Sequence, residues 1–138
     1  MLELSKLRVP VIAIVIGEGS SGGALALGVG NKVFMLENAI YSILSPEGYA
    51  SILWKDASRA KEAAEKMKLT AEDLYQLRII DKIKKEPKGD IEESFEKVAK
   101  SLKKEISGTI EKMKNMSPDE IVEERYQKFR NMGEYSIL

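Results

Sequence analysis

The chain has 138 residues, 43% hydrophobic and 32% charged, the composition of an ordinary globular protein for which one domain is the prior. Lysine plus arginine and aspartate plus glutamate balance at 22 each, so no net field draws it to nucleic acid or to an anionic membrane. It contains no cysteine and no histidine, which excludes disulfides, thiolate nucleophiles, the usual zinc ligands and the commonest general base, and leaves backbone, carboxylates, hydroxyls and amines for any chemistry.

Residues 1–10 carry Glu3, Lys6 and Arg8 among their leucines and do not read as a secretory signal, and no apolar run approaches the ~20 residues of a membrane span. A cytoplasmic protein with no membrane partner is expected. Residues 9–16 form a continuous β-branched run, the pattern of a strand buried on both faces. A glycine and serine cluster follows at residues 17–23, and then a short helix over Ala24, Leu25, Ala26 and Leu27, stopped by Gly28, Gly30 and Asn31. Residues 32–36 and 40–44 read as two more strands.

Ser45, Pro46 and Glu47 open a helix that should run to about Trp54: a hydroxyl cap, a proline at the first helical position and an acid near the positive end of the dipole. Residues 58–67 and 70–76 are further helices, the second opened by Thr70 with Asp73 in capping-box spacing. Residues 78–83 fit an edge strand. Glu86, Pro87, Lys88 and Gly89 mark a boundary, dividing residues 1–87 from a helical extension over 88–138. In that extension Ile91, Phe95, Val98, Leu102, Ile106, Ile110 and Met113 form one apolar stripe on a long helix. Ser117, Pro118 and Glu120 start a last helix with Ile121, Val122, Tyr126 and Phe129 inward and Gly133 as its stop. Its many lysines and glutamates read as a solvated face.

The glycine cluster is the clearest candidate site. A glycine-rich turn between strand and helix lets amides point outward with no Cβ in the way, and Gly22 and Gly23 fall where a helix has its first unsatisfied N–H groups, suited to an anion or a developing oxyanion. Two other readings stand beside this one. Gly17, Gly19 and Gly22 satisfy G-x-G-x-x-G, with Glu37 about 20 residues on, as in a dinucleotide site. Against it, the following helix is short, the next two strands succeed each other directly, and Glu18 would lie beside a pyrophosphate. The plainer alternative is a tight turn whose glycines only permit close packing.

Blocks of the sequence resemble the α subunits of bacterial acetyl-CoA carboxylase carboxyltransferases. They include Val9-Pro10-Val11, Ile16-Gly17-Glu18-Gly19, Ser21-Gly22-Gly23-Ala24-Leu25-Ala26, Tyr41-Ser42, Ser45-Pro46-Glu47-Gly48, Ala50-Ser51-Ile52-Leu53-Trp54-Lys55 and Arg125-Tyr126-Gln127-Lys128-Phe129. In order and nearly without gaps, they cover almost the whole chain. The resemblance implies an α/β, crotonase-like β-β-α superhelix, here partial, with a C-terminal helical extension. It implies transfer of a carboxyl group from carboxybiotin, borne on the biotin carboxyl carrier protein, to acetyl-CoA, giving malonyl-CoA for fatty acid synthesis. The partners implied are a carboxyltransferase β subunit in an assembly of two α and two β subunits, the carrier protein and biotin carboxylase; any zinc would belong to the β subunit, with no metal in this chain.

By the same resemblance, the N–H groups of Gly22 and Gly23 hold the biotin enolate oxygen, Gly19, Ser20 and Ser21 shape the loop, and Ser45, Pro46, Glu47 and Gly48 line the site from a neighbouring helix start. The family also carries an N-terminal half with an Asp-Thr-Pro-Gly-like segment that does not precede Met1, and a Gly-Gly-Ala-His stretch where this chain has Lys88-Gly89-Asp90. The chain is therefore expected to be a fragment or split subunit, catalytic only beside its β subunit and the missing half, or else a non-catalytic assembly module derived from such a subunit.

Overall fold

A computed structural model describes residues 1–88 and 91–133, with the side chains of 91–93 outside the description. Gly89 and Asp90 of the expected turn, and the Ile91 side chain at the head of the stripe, lie outside the described residues.

After a one-turn helix α1 (Leu2–Ser5), strand β1 (Ile12–Val15) leads through a two-residue turn into β2 (Glu18–Ser20) and helix α2 (Gly22–Leu27). The same sequence of elements then repeats as β3 (Lys32–Leu36), β4 (Ile40–Ser42) and α3 (Pro46–Trp54). Each strand of the first unit pairs with its counterpart in the second. β1 lies parallel to β3, with Ile12 opposite Lys32 and Val15 opposite Met35, and β2 lies parallel to β4, with Glu18 opposite Ile40 and Ser20 opposite Ser42. A short 3₁₀ turn (Ala57–Arg59), α4 (Ala60–Met67) and α5 (Ala71–Gln76) lead to β5 (Lys82–Lys84), which completes a sheet of order β1-β3-β5. Two stacked β-β-α units with a third strand begun are what a β-β-α superhelix requires. Among the described residues no helix is long and apolar enough to cross a membrane.

The central strand β3 carries the core. Val33, Phe34, Met35 and Leu36 are all buried, and Val33, Met35 and Leu36 pack with Ala39, Ala71, Leu74 and Ile80. Burying a side chain of this size is worth roughly 1.5–3 kcal/mol. Asp81 Oδ2 accepts from the Val33 N–H at 2.6 Å, tying the loop before β5 to this strand. The β1 strand differs from the sequence expectation. It is four residues long rather than eight, and all four are half-buried. Its extent is set by pairing with a five-residue β3, and it lies at the open edge of the sheet.

Long helix α6 (Ile91–Met113) and α7 (Pro118–Arg130) follow, the latter opened by a complete capping box between Ser117 and Glu120. Only part of the predicted α6 stripe is inward. Met113 is buried and Val98 packs against the core, whereas Phe95 is 72% and Ile110 48% exposed. On α7, Ile121 is buried but Tyr126 is 57% exposed, and the helix ends at Asn131, with Gly133 at positive φ two residues further on. The residue that anchors α7 is one the stripe omitted. Arg125 is 1% exposed, and its guanidinium donates to the carbonyls of Leu4, Ser5, Leu7 and Val9 and to Asn31 Oδ1.

Candidate functional site

The glycine cluster is not a loop throughout. Glu18, Gly19 and Ser20 are a strand, because β4 offers them a parallel partner 22 residues on. Gly19 faces Tyr41 in that ladder, and a Cβ at Gly19 would lie 3.2 Å from Tyr41 Cδ2 and 3.3 Å from Val15 Cγ1, so a side chain there would require those neighbours to give by a few tenths of an ångström. Ser42 then fixes the start of the helix from below. Its carbonyl accepts from the Ser21 N–H at 3.2 Å, and its Oγ lies 3.1 Å from Ser20 Oγ. Since Ser42 Oγ spends its own hydrogen on Leu44 O at 2.8 Å, Ser20 is the donor of the serine pair.

Ser21 is the N-cap of α2, and its Oγ accepts from the Ala24 N–H at 3.1 Å. Gly22 and Gly23 are therefore the first two helical positions, whose N–H groups have no carbonyl one turn back. Nothing lies within 4 Å of a Cβ built at Gly22, and only Ser21 Oγ, at 3.3 Å, is close to one built at Gly23. Both residues are exposed, on a base fixed by Ser21 and Ser42. An oxygen bearing negative charge has room to approach both.

Two openings flank α2, neither of them lined by Gly22 or Gly23. One, about 380 Å³, lies between β1 and α2 and includes Ile14, Ile16, Glu18, Leu27 and Tyr41 in its lining. The other, about 350 Å³, lies across Tyr41 and includes Leu25, Ile43, Tyr49, Lys66 and Met67.

Ser45, Pro46, Glu47 and Gly48 form the expected helix start, with the Gly48 N–H donating to Ser45 Oγ at 3.2 Å. Ser45 and Glu47 are exposed, and the connection from this cap to the glycine cluster runs through Leu44 and Ser42. Glu37, the acid of the dinucleotide spacing, is engaged elsewhere. It accepts from the Glu86 N–H at 2.6 Å and pairs with Lys85 at 2.9 Å, and the Lys85 bond, aided by Glu86, holds its carboxyl below the usual range. Together with the six-residue α2 and the β-β-α order, this removes the basis of a dinucleotide reading. The sequence reading assigned no role to Ser42 or Tyr41, although the Tyr-Ser pair was among the blocks carrying the family resemblance. Among the described residues no three carboxylates gather where a metal ion would sit.

A family model described as "Acetyl co-enzyme A carboxylase carboxyltransferase-like" matches residues 1–133. The chain is 56% identical over 133 residues to the acetyl-coenzyme A carboxylase carboxyl transferase subunit alpha of Clostridium botulinum, covering 96% of this chain and 48% of the relative. The corresponding subunit of Clostridium perfringens is 58% identical over 132 residues, covering 96% and 49%, and that of Listeria monocytogenes is 51% identical over 138 residues, covering 100% and 43%. The chain thus spans about half the length of the curated relatives it matches. Among solved structures, transcarboxylase 12S, described as a hexamer assembly with methylmalonyl-coenzyme A and methylmalonic acid bound, superposes with a TM-score of 0.53 at 16% identity, covering 99% of this chain and 23% of that one. This likeness shows the fold, a crotonase-like α/β arrangement, as the two β-β-α units do independently.

Proposed function

Since the chain belongs to the acetyl co-enzyme A carboxylase carboxyltransferase-like family, we propose that it supplies part of a carboxyltransferase α subunit moving a carboxyl group from carboxybiotin to acetyl-CoA. The products are biotin and malonyl-CoA, the latter serving fatty acid synthesis in the cytoplasm. The observation that carries this reading is the exposed pair Gly22 and Gly23 at the first two positions of α2, on a helix start fixed by Ser21 and Ser42.

Carboxybiotin, presented by the carrier protein, brings the carboxyl group to be transferred. When that group leaves, negative charge gathers on the ureido oxygen, and the N–H groups of Gly22 and Gly23 hold it. Preorganised donors of this kind are worth about 10²–10³-fold in rate apiece. The group leaves as CO2, the ureido nitrogen accepts the proton that acetyl-CoA loses from its methyl group, and the resulting acetyl-CoA enolate attacks the CO2 to give malonyl-CoA, so no histidine or cysteine is needed. Gly19, Ser20 and Ser21 keep the amides in place, and Ser45, Pro46, Glu47 and Gly48 border the approach. The carboxyltransferase β subunit holds the acetyl-CoA enolate, in an assembly of two α and two β subunits working with biotin carboxylase. Residues 1–87 carry the site, and α6 and α7 brace it as a helical extension.

The test is to combine the chain with the N-terminal half of a related α subunit, a carboxyltransferase β subunit, carboxylated carrier protein and acetyl-CoA. Light scattering should show a mixed complex, and mass spectrometry should show malonyl-CoA that depends on this chain. A stable mixed complex that forms no malonyl-CoA would reject catalysis in favour of a purely architectural role.

A further inference from the structure

Helix α2 sits on very little. It has six residues, none of them buried, and Leu25 and Leu27 are 38% and 70% exposed. Openings of about 380 and 350 Å³ flank it, and a single side chain, Tyr41, lines both. The ring rises from β4 and reaches α2 at Ala24 and Gly28. Its Oη donates to Ala24 O at 3.4 Å, a weak bond, and a Cβ built at Gly28 would fall on that hydroxyl and lie 3.1 Å from Cζ. On the strand side, the same ring leaves only 3.2 Å to a Cβ at Gly19. Gly28 has φ −72°, which any residue adopts, so a glycine there reflects space and not backbone conformation. Burial pushes the Tyr41 hydroxyl up from its ordinary value, in keeping with an enclosed, neutral phenol.

We infer that Tyr41 is a positioning residue, a spacer wedged between Gly19 and Gly28 that sets the height at which α2 presents the Gly22 and Gly23 amides. This rests on the carboxyltransferase reading of that site. The ring's bulk does the positioning, since the hydroxyl's bond is long. One glycine lies beside the ring's Cδ2 edge and the other at its hydroxyl tip, and Ser42, the next residue along β4, pins the helix's N-cap through Ser21 N. Neighbouring residues of one strand thus hold both ends of α2. A displacement of ~1 Å is enough to cost about 10²-fold in rate at such a site.

The experiment compares Tyr41→Phe, Tyr41→Ala and Gly28→Ala in the assembled carboxyltransferase containing this chain, with thermal melting to establish the folded fraction. Tyr41→Phe should keep kcat within about threefold, while Tyr41→Ala should lower kcat by about 10–100-fold with KM for acetyl-CoA unchanged. Gly28→Ala should lower kcat in the wild-type background and have no further effect beside Tyr41→Ala, a coupling that two independent structural defects would not produce. A kcat per folded molecule that stays at the wild-type value in Tyr41→Ala and Gly28→Ala overturns the inference, as does a Tyr41→Phe loss as large as that of Tyr41→Ala. A second readout is independent of activity. The amide resonances of Gly22 and Gly23 should move in Tyr41→Ala and not in Tyr41→Phe. If wild type makes no malonyl-CoA, the reading of the site fails and the spacer is still judged by those resonances, where unmoved signals in Tyr41→Ala refute it.

Discussion

Replacing Arg125 by alanine should remove more stability than any other single change in the C-terminal helices. The guanidinium binds Leu4 O at 3.0 Å, Ser5 O at 3.0 Å, Leu7 O at 2.9 Å, Val9 O at 2.8 Å and Asn31 Oδ1 at 2.8 Å. Two of these acceptors keep another donor, Leu4 O from Leu7 N and Asn31 Oδ1 from Val11 N. Ser5 O, Leu7 O and Val9 O lose a charged one. At about 1–1.5 kcal/mol each, discounted because water reaches this exposed segment, the bonds account for about 3–4 kcal/mol. The space left by a fully buried side chain brings the expected loss to about 4 kcal/mol, inside the range for breaking a buried charged network. Burial draws the Arg125 pKa down, yet a guanidinium stays charged, so the loss should not depend on pH near neutrality. With a urea slope of about 2 kcal/mol/M, the unfolding midpoint should fall by about 2 M. Arg125→Lys should recover less than half, because a compact ammonium cannot span Asn31 and four carbonyls. A midpoint within about 0.3 M of wild type for Arg125→Ala would show that α7 does not hold the N-terminal segment through this residue.

Other outcomes follow from local geometry. Gly30→Ala would drive a Cβ to 2.9 Å from Val11 O and 3.1 Å from Lys32 O, backbone atoms that cannot turn aside, and urea unfolding should report a loss of about 1–3 kcal/mol. Equal midpoints would mean that β1 and β3 are less closely joined than described. The pH dependence should be small near neutrality and appear on the acid side. With no histidine or cysteine, no side chain has an ordinary pKa between pH 6 and 8, and the urea midpoint should be flat there. Glu105, bound by Lys82 at 2.7 Å and Lys84 at 3.1 Å, is held below the usual range, as are Glu62 by Arg59 and Asp73 by Thr70. A depressed folded pKa gives stability that is present above the unfolded value and lost as pH falls through the folded one. The midpoint should therefore drop below about pH 4.5, less steeply in Glu105→Gln. A midpoint falling between pH 8 and 6 would contradict this assignment.

Local chemistry was legible in the sequence where one residue decides the outcome. Ser45, Thr70 and Ser117 cap the helices predicted for them, because a hydroxyl beside a first-turn N–H needs no tertiary partner. Strand β3 also matches its reading, since Val33 to Leu36 are apolar on both faces and buried on both. What escaped depends on distant partners. Glu18 to Ser20 has no strand composition and becomes one only because Ile40 to Ser42 lies alongside. Phe95 and Ile110 fit a helical stripe, but contacts elsewhere decide which part of so long a helix is covered. Arg125 was legible only as part of a family block, because a pattern of apolar residues assigns a cation to the surface, and only the convergence of four carbonyls and Asn31 makes its burial favourable. In the candidate site, the placement of Gly22 and Gly23 at the first helical positions followed from the motif, while the supports beneath them, Tyr41 and Ser42, required the β2–β4 pairing.

The most direct measurement is malonyl-CoA formation by the assembled carboxyltransferase carrying Gly23→Val beside wild type. A Cβ at Gly23 meets only Ser21 Oγ, the capping oxygen, at 3.3 Å, so thermal melting and assembly are measured beside the rate and the rate is taken per folded, assembled molecule. The branched side chain would cover the oxygen's place on the two amides. Wild-type transfer with a loss of about 10²-fold or more in the variant is expected. Wild-type rates in a folded, assembled Gly23→Val enzyme would contradict the role given to this helix start.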